Sequence, residues 1–256
     1  MMKKVTTLIL CVAVLATVCV AMTTSERQQA YADVFNPDAI NKEETMDKLI
    51  VEPEPIVEEP VVEEHVYDGI AYLTFDDGPS TTITPQILDI LKEKDVKATF
   101  FVIGSYAKSH PELVKRAYDE GHTIGLHSYT HKKSMFNSLK AFKEEVDKTY
   151  DVVYDIIGEA PKYFRIPYGT KIGKTFKDYL NEKGLSVIGW NCESYDSRTY
   201  TTKPEQLVQA VKDTMGTKKE VTVIMHDTYG KQKTADALSD IIEHFNEVNY
   251  ELKKYE

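Results

Sequence analysis

The chain has 256 residues, 42% of them hydrophobic, and a formal net charge of −10, which suits one large α/β domain with an appendage or two small domains. From residue 67 onward 26 basic residues nearly balance 29 acidic ones, so nothing suggests a nucleic-acid-binding surface. Cys11 and Cys19 lie in an apolar leader and Cys192 stands alone in the remainder, which excludes an intrachain disulfide framework.

In chain order, Lys3 and Lys4 precede an apolar run from Val5 to Met22, the pattern of a secretory signal peptide or of an uncleaved amino-terminal anchor. At about 18 residues it lies at the lower limit for crossing a bilayer. Ala30-Tyr31-Ala32 offers a small-x-small cleavage site, and residues 1–32 are assigned to the leader or anchor. Val18 before Cys19 argues against a lipidated cysteine. Residues 33–66 carry 11 acidic residues against Lys42 and Lys48, with Pro-Glu-Pro and Val-Glu-Glu-Pro runs. Such a segment cannot bury a core and reads as an extended acidic stalk. Residues 67–256 are left as the working domain, placed outside the membrane on the extracellular face, either anchored or released to the cell wall.

Within that domain, short β-branched and aromatic runs alternate with longer segments of helical period. The predicted strands are Ile70 to Phe75, Ala98 to Ile103, Thr123 to Leu126, Tyr163 to Ile166, Leu185 to Trp190 and Val221 to Met225, with Tyr250 to Tyr255 as a closing strand. Thr84-Pro85 opens a helix to Lys94, and His110-Pro111 opens another that runs to Glu120 and stops at Gly121. Proline in the first turn and glycine after the last suit helix ends. A long helix from Ser138 to Ile157 places Phe142, Val146, Tyr150, Val153 and Ile157 on one stripe, read as core packing. A final helix spans Thr234 to Asn246. Repeated βα units point to a distorted (β/α) barrel of about seven parallel strands, whose working groups belong at the carboxyl ends of the strands.

Chemically capable residues follow those strands directly. Asp76 and Asp77 end the first, just before Gly78-Pro79. Alone, this pair reads equally well as a turn cap. Two adjacent carboxylates at a buried strand mouth nevertheless need different partners, such as a metal for one and an arginine for the other. The third strand runs into His127 and His131 at i and i+4, which a helical turn or tight loop can aim at one point. With Asp77 they make a two-histidine, one-carboxylate set suited to zinc or another divalent ion. Arg165 ends the fourth strand and can pair with Asp76; Pro167 and Gly169 flank Tyr168 in an irregular turn able to aim a backbone N–H. His226 follows the sixth strand, and the acids after Trp190, among them Glu193 and Asp196, can orient and charge it. Metal-assisted hydrolysis of an acyl group needs this set.

These five ordered motifs resemble the polysaccharide deacetylases of the NodB-homology type, carbohydrate esterase family 4, from about residue 69 to the end. The resemblance implies a metal on Asp77, His127 and His131, zinc first, with cobalt, nickel or manganese as alternatives. It also implies Asp76 as general base, His226 as general acid, Arg165 supporting Asp76, Asp196 tuning His226, and the Tyr168 N–H helping to hold the oxyanion. The chain departs from the family at Ser197, where members carry a tryptophan that walls the sugar groove; Tyr195 or Tyr200 is a candidate replacement. The expected activity is removal of N-acetyl groups from N-acetylglucosamine-type residues of a wall or surface polymer, first peptidoglycan. The alternatives are an O-acetyl glycan esterase of xylan type or a catalytically silent carbohydrate-binding member. The expected partner is the glycan alone, bound by a monomer, with the membrane touched only through the leader.

Overall fold

A computed structural model describes residues 65–199 and 203–256; the leader, nearly all of the stalk and Tyr200 lie outside the described residues. Among the described residues eight strands, all parallel, form one sheet: β1 (Gly69–Asp76), β2 (Thr99–Val102), β3 (Thr123–Leu126), β4 (Tyr163–Phe164), β5 (Ser186–Val187), β6 (Cys192–Glu193), β7 (Glu220–His226) and β8 (Tyr250–Lys253). The order is β5-β4-β3-β2-β1-β7-β6, with β8 joined to the first half of β1. β1 is buried from Leu73 to Asp76, as a central parallel strand covered on both faces must be. Among the described residues seven α-helices accompany the strands: α1 (Thr84–Glu93), α2 (Gly104–Ser109), α3 (Pro111–Asp119), α4 (Leu139–Ile157), α5 (Lys174–Glu182), α6 (Pro204–Met215) and α7 (Gln232–Glu247). The sequence reading did not single out α2, α5 or α6. On α4, Phe142, Val146 and Val153 are fully buried, while Tyr150 and Ile157 pack partly buried against the core. The stripe is core, at about 1.5–3 kcal/mol for each buried large side chain.

The barrel is distorted at one seam. The predicted strand Leu185 to Trp190 shortens to Ser186–Val187, which pairs with β4; the chain then leaves the ladder, and Cys192–Glu193, beyond the predicted strand, pairs with β7. A single segment therefore supplies both edges of the sheet, and the barrel closes through the covalent chain rather than through a β5–β6 ladder. Carbonyls stranded by such a crossing must find other donors. Arg165 provides them, with Nε donating to the Ile188 carbonyl at 3.2 Å and Nη2 to that of Gly189 at 2.9 Å. No helix among the described residues is long and apolar enough to cross a membrane.

Candidate active site

The carboxyl ends of β1, β3, β4, β6 and β7 converge on one mouth. Asp76, the last residue of β1, is in register with His226, the last of β7. Side chains of adjacent residues alternate along a strand, so Asp77 would face away from Asp76 if β1 continued. It does not, because Asp77 adopts φ +70° and both carboxylates reach the same mouth. The following glycine is sterically required: a Cβ on Gly78 would lie 2.1 Å from the Asp227 carboxylate. Ser128, His131, Tyr168 and Tyr195 also have positive φ, so left-handed backbone at residues with full side chains gathers around this cleft, as strain does at working sites.

Asp77 Oδ1 is buried and has no hydrogen-bond partner. His127 Nε2 lies 3.5 Å from it and His131 Nε2 3.4 Å, and one donor atom from each of the three residues falls within 4.8 Å of the others. His127 Nδ1 donates to the Arg165 carbonyl at 2.8 Å, leaving the Nε2 lone pair directed at Asp77. Burial lowers the His127 pKa to about 3, despite the opposing charge of Asp77, so the ring is neutral and able to ligate. The orphaned oxygen and the bare imidazole nitrogen fit a divalent cation better than an ordinary ion pair. The two histidines come from a tight loop rather than a helical turn. Glu145 on α4 closes that loop, its carboxylate accepting the N–H groups of Tyr129 (2.9 Å) and Thr130 (2.7 Å) and the Thr130 hydroxyl (2.8 Å). The His131 ring packs against Tyr168 at 4.4 Å between centroids.

Asp76 is 2% exposed and accepts from Arg165 Nη1 at 2.8 Å; the same nitrogen reaches Thr74 Oγ1 at 2.7 Å. Burial pushes the Asp76 carboxyl above the ordinary carboxylate range, and the Arg165 charge opposes it. Arg165 is itself wholly buried, with the Phe101 ring 4.1 Å from its guanidinium carbon. Opposite Asp76, His226 Nδ1 donates to Asp196 Oδ1 at 2.8 Å, and the His226 backbone N–H and the Thr234 hydroxyl both donate to Oδ2. Burial works against the imidazolium, but the bond to Asp196 and its charge prevail and raise the His226 pKa to about 9. Asp196 ends below the usual carboxylate range: burial raises it, and the bond to His226 with the charges of His226 and Lys231 overcomes that.

Every residue singled out for the site is therefore gathered at one mouth, with Arg165 beneath it. Glu145, Thr234 and Lys231, which donates to the Asp196 carbonyl at 3.0 Å, were not singled out. A cleft of about 430 Å³ opens above Asp76, Asp77 and the histidines, and Trp190, Tyr195 and Ser197 help to line it. Of the two tyrosines named as replacement walls, Tyr195 lines the cleft and Tyr200 lies outside the described residues. Tyr168 holds φ +63°, and Gly169 beside it packs so closely on Trp190 that a Cβ would come within 2.8 Å of the ring.

A family model described as polysaccharide deacetylase matches residues 64–188. A peptidoglycan-N-acetylglucosamine deacetylase of Bacillus cereus is 35% identical over 228 residues, covering 85% of this chain and 81% of the relative. The peptidoglycan-N-acetylglucosamine deacetylase PgdA of Listeria monocytogenes is 36% identical over 179 residues, or 70% of this chain, but the match spans only 36% of that longer protein. The crystal structure of the polysaccharide deacetylase Bc1974 from Bacillus cereus superposes with a TM-score of 0.68 at 33% identity, covering 73% of this chain and 92% of that one. With the Asp-His-His cluster, the buried Asp76 and its arginine, and the charged His226 all in place on the same fold, the chain belongs to the polysaccharide deacetylase family, hydrolases of carbon–nitrogen bonds outside peptides.

Proposed function

We propose that this protein is a metal-dependent N-deacetylase acting on N-acetylglucosamine residues of peptidoglycan, outside the membrane, with residues 1–32 serving as leader or anchor and 33–66 as the stalk. One observation carries the reading: an unpartnered Asp77 oxygen between two imidazole nitrogens, flanked by a base held by arginine and an acid held by aspartate. The names of the relatives in B. cereus and L. monocytogenes support the substrate. Asp77, His127 and His131 would hold the ion, zinc by donor type. When bound, it supplies Lewis-acid activation of the water and of the acetyl carbonyl. Asp76 takes the proton from the attacking water as the water oxygen bonds to the acetyl carbon. The Tyr168 N–H donates to the carbonyl oxygen that gains charge. His226, kept protonated through Asp196, delivers its proton to the nitrogen as the C–N bond breaks. Acetate and a free amino sugar leave.

The test is acetate release by the full-length protein from peptidoglycan, from N-acetylglucosamine oligomers and from acetylated xylan, side by side. Release from the first two that is lost to a chelator and restored by zinc is the expected result. Chelator-insensitive turnover overturns the metal assignment, and release from xylan alone overturns the N-acetyl assignment in favour of an esterase.

A further inference from the structure

A second cavity, of about 250 Å³, lies at the amino-terminal ends of β3 and β4, away from the catalytic mouth, and the chain that follows β8 borders it. The length of β3 separates it from His127, roughly 13 Å at about 3.3 Å per residue. Thr123 Oγ1 donates to the Tyr255 carbonyl and the Tyr163 hydroxyl to that of Glu256, which ties the bordering segment to both strands. His122, 2% exposed, lines this cavity. The Ala98 N–H donates to its Nδ1 at 3.1 Å, and burial together with the Lys97 charge lowers its pKa to about 4. The ring is therefore neutral and carries its proton on Nε2. That nitrogen is buried and has no hydrogen-bond partner among the described residues. Buried donors are seldom left without an acceptor, and in a cavity wall the acceptor belongs to whatever fills the cavity.

Tyr118, Tyr163 and Tyr255 share the lining. Tyr255 also borders a groove of about 510 Å³, where its ring centroid lies 4.4 Å from that of Tyr72 with the planes 12° apart. On the cavity side the Tyr163 centroid is 5.6 Å away, so one aromatic strip runs from cavity to groove. Lys162 and Lys254 balance Glu159 and Glu256 around the cavity, and no net charge selects an ion. An uncharged ligand with hydroxyl or amide oxygens and flat apolar faces fits this combination, its faces on the tyrosine rings and an oxygen on the imidazole N–H. We propose that the cavity and groove bind a stretch of uncharged glycan, with a sugar oxygen accepting from His122 Nε2–H, as a second site that holds the polymer without acting on it. The choice of an N-acetylglucosamine polymer as the occupant rests on the deacetylase reading above; the site itself does not. A polymer held at two places dissociates only when both release it, so the second site favours long or networked chains over short ones.

Two variants probe the site. Ala160 lines the cavity and is exposed, so Ala160→Trp fills the space and removes no contact. His122→Phe keeps a ring against Phe100, now 5.4 Å away between centroids, and deletes only the donor. Full-length Asp76→Asn protein, labelled with ¹⁵N at histidine, is titrated with the N-acetylglucosamine tetramer and followed by NMR. The His122 Nε2–H resonance, assigned by its absence from His122→Phe, is expected to shift, and Ala160→Trp in the same background to abolish the shift. Calorimetry of His122→Phe in that background is expected to show the distal binding event weakened by about three- to tenfold. In otherwise wild-type protein, Ala160→Trp is expected to change kcat/KM for the tetramer by less than about twofold while acetate release from peptidoglycan falls at least about threefold. A His122 resonance that does not move, or that moves equally in Ala160→Trp, overturns this inference and leaves the deacetylase reading standing. Absence of acetate from both substrates overturns that reading, and the His122 resonance still decides the second site.

Discussion

Asp76 and His226 are register partners across the β1–β7 ladder, the terminal residues of two neighbouring parallel strands, and each is fixed from behind by a partner of opposite charge. Arg165 holds the carboxylate at 2.8 Å, and Asp196 holds the imidazole at 2.8 Å. The proposed roles of base for Asp76 and acid for His226 need opposite protonation states at one pH. The two pairings supply that condition, because Arg165 favours the charged form of Asp76 and Asp196 favours the charged form of His226.

Asp76→Asn removes the carboxylate proposed to accept the proton but leaves Asp77, His127 and His131 untouched. The variant is expected to keep its metal stoichiometry while kcat falls by about 10²–10⁴-fold. Metal analysis and acetate release on one preparation check this; loss of the ion along with activity would show that Asp76 is a ligand instead.

His226 carries its proton up to about pH 9, so activity that depends on it as an acid persists to that pH and falls above it. Asp196→Asn removes the hydrogen bond and charge that raise the value, and burial then acts in the opposite direction. The alkaline limb of the kcat/KM profile should therefore move to lower pH. Linkage has the same sign. A folded-state value raised above the unfolded value of about 6.5 contributes stability that is fully present below pH 6.5 and is lost as pH rises through about 9. Denaturant unfolding at pH 6 and pH 10 should show the wild type losing more stability over that interval than Asp196→Asn.

Arg165 joins the site to the barrel seam. Its guanidinium satisfies Asp76, Thr74 and two carbonyls of the segment that crosses from β5 to β6. Arg165→Met leaves a buried carboxylate and the stranded carbonyls without donors, with an expected cost of about 3–5 kcal/mol. Arg165→Lys keeps the charge but offers a single nitrogen in place of the planar fork, so it should recover only part of that loss. Denaturant unfolding of the three proteins at one pH measures both.

What could be read from the sequence was whatever lies along the chain. Asp76, His127, Arg165 and His226 each follow a recognisable apolar run directly, so strand ends located them. The seam could not be read this way, because Leu185 to Trp190 has the composition of one strand and only barrel closure decides that it is cut to Ser186–Val187 on one side and followed by Cys192–Glu193 on the other. The left-handed turn at Asp77 was legible only as a demand, since two neighbouring carboxylates had to face one way. Supporting groups left no trace. Thr234 sits 38 positions from the carboxylate it binds, and Glu145 lies on the helix whose apolar stripe alone had drawn notice.

Glu145 gives the last test. Its carboxylate accepts three hydrogen bonds from Tyr129 and Thr130, which lie between His127 and His131, the two proposed ligands, and just after left-handed Ser128. Without it, two backbone N–H groups lose their acceptor and the loop can relax from the conformation that aims His131 at Asp77. Glu145 touches neither the ion site nor the cleft, so its removal should act through ligand placement. Glu145→Ala is expected to weaken metal binding by about 10–100-fold, the usual range for a group that supports a ligand, with a smaller change in kcat once metal is saturating. Glu145→Gln keeps one acceptor oxygen and should fall between the two. Competition of each protein with a chelator of known affinity reads the effect directly, and unchanged affinity in Glu145→Ala would show that the loop holds its shape through the Ser128 hydroxyl bond to the His131 N–H, at 3.0 Å, instead.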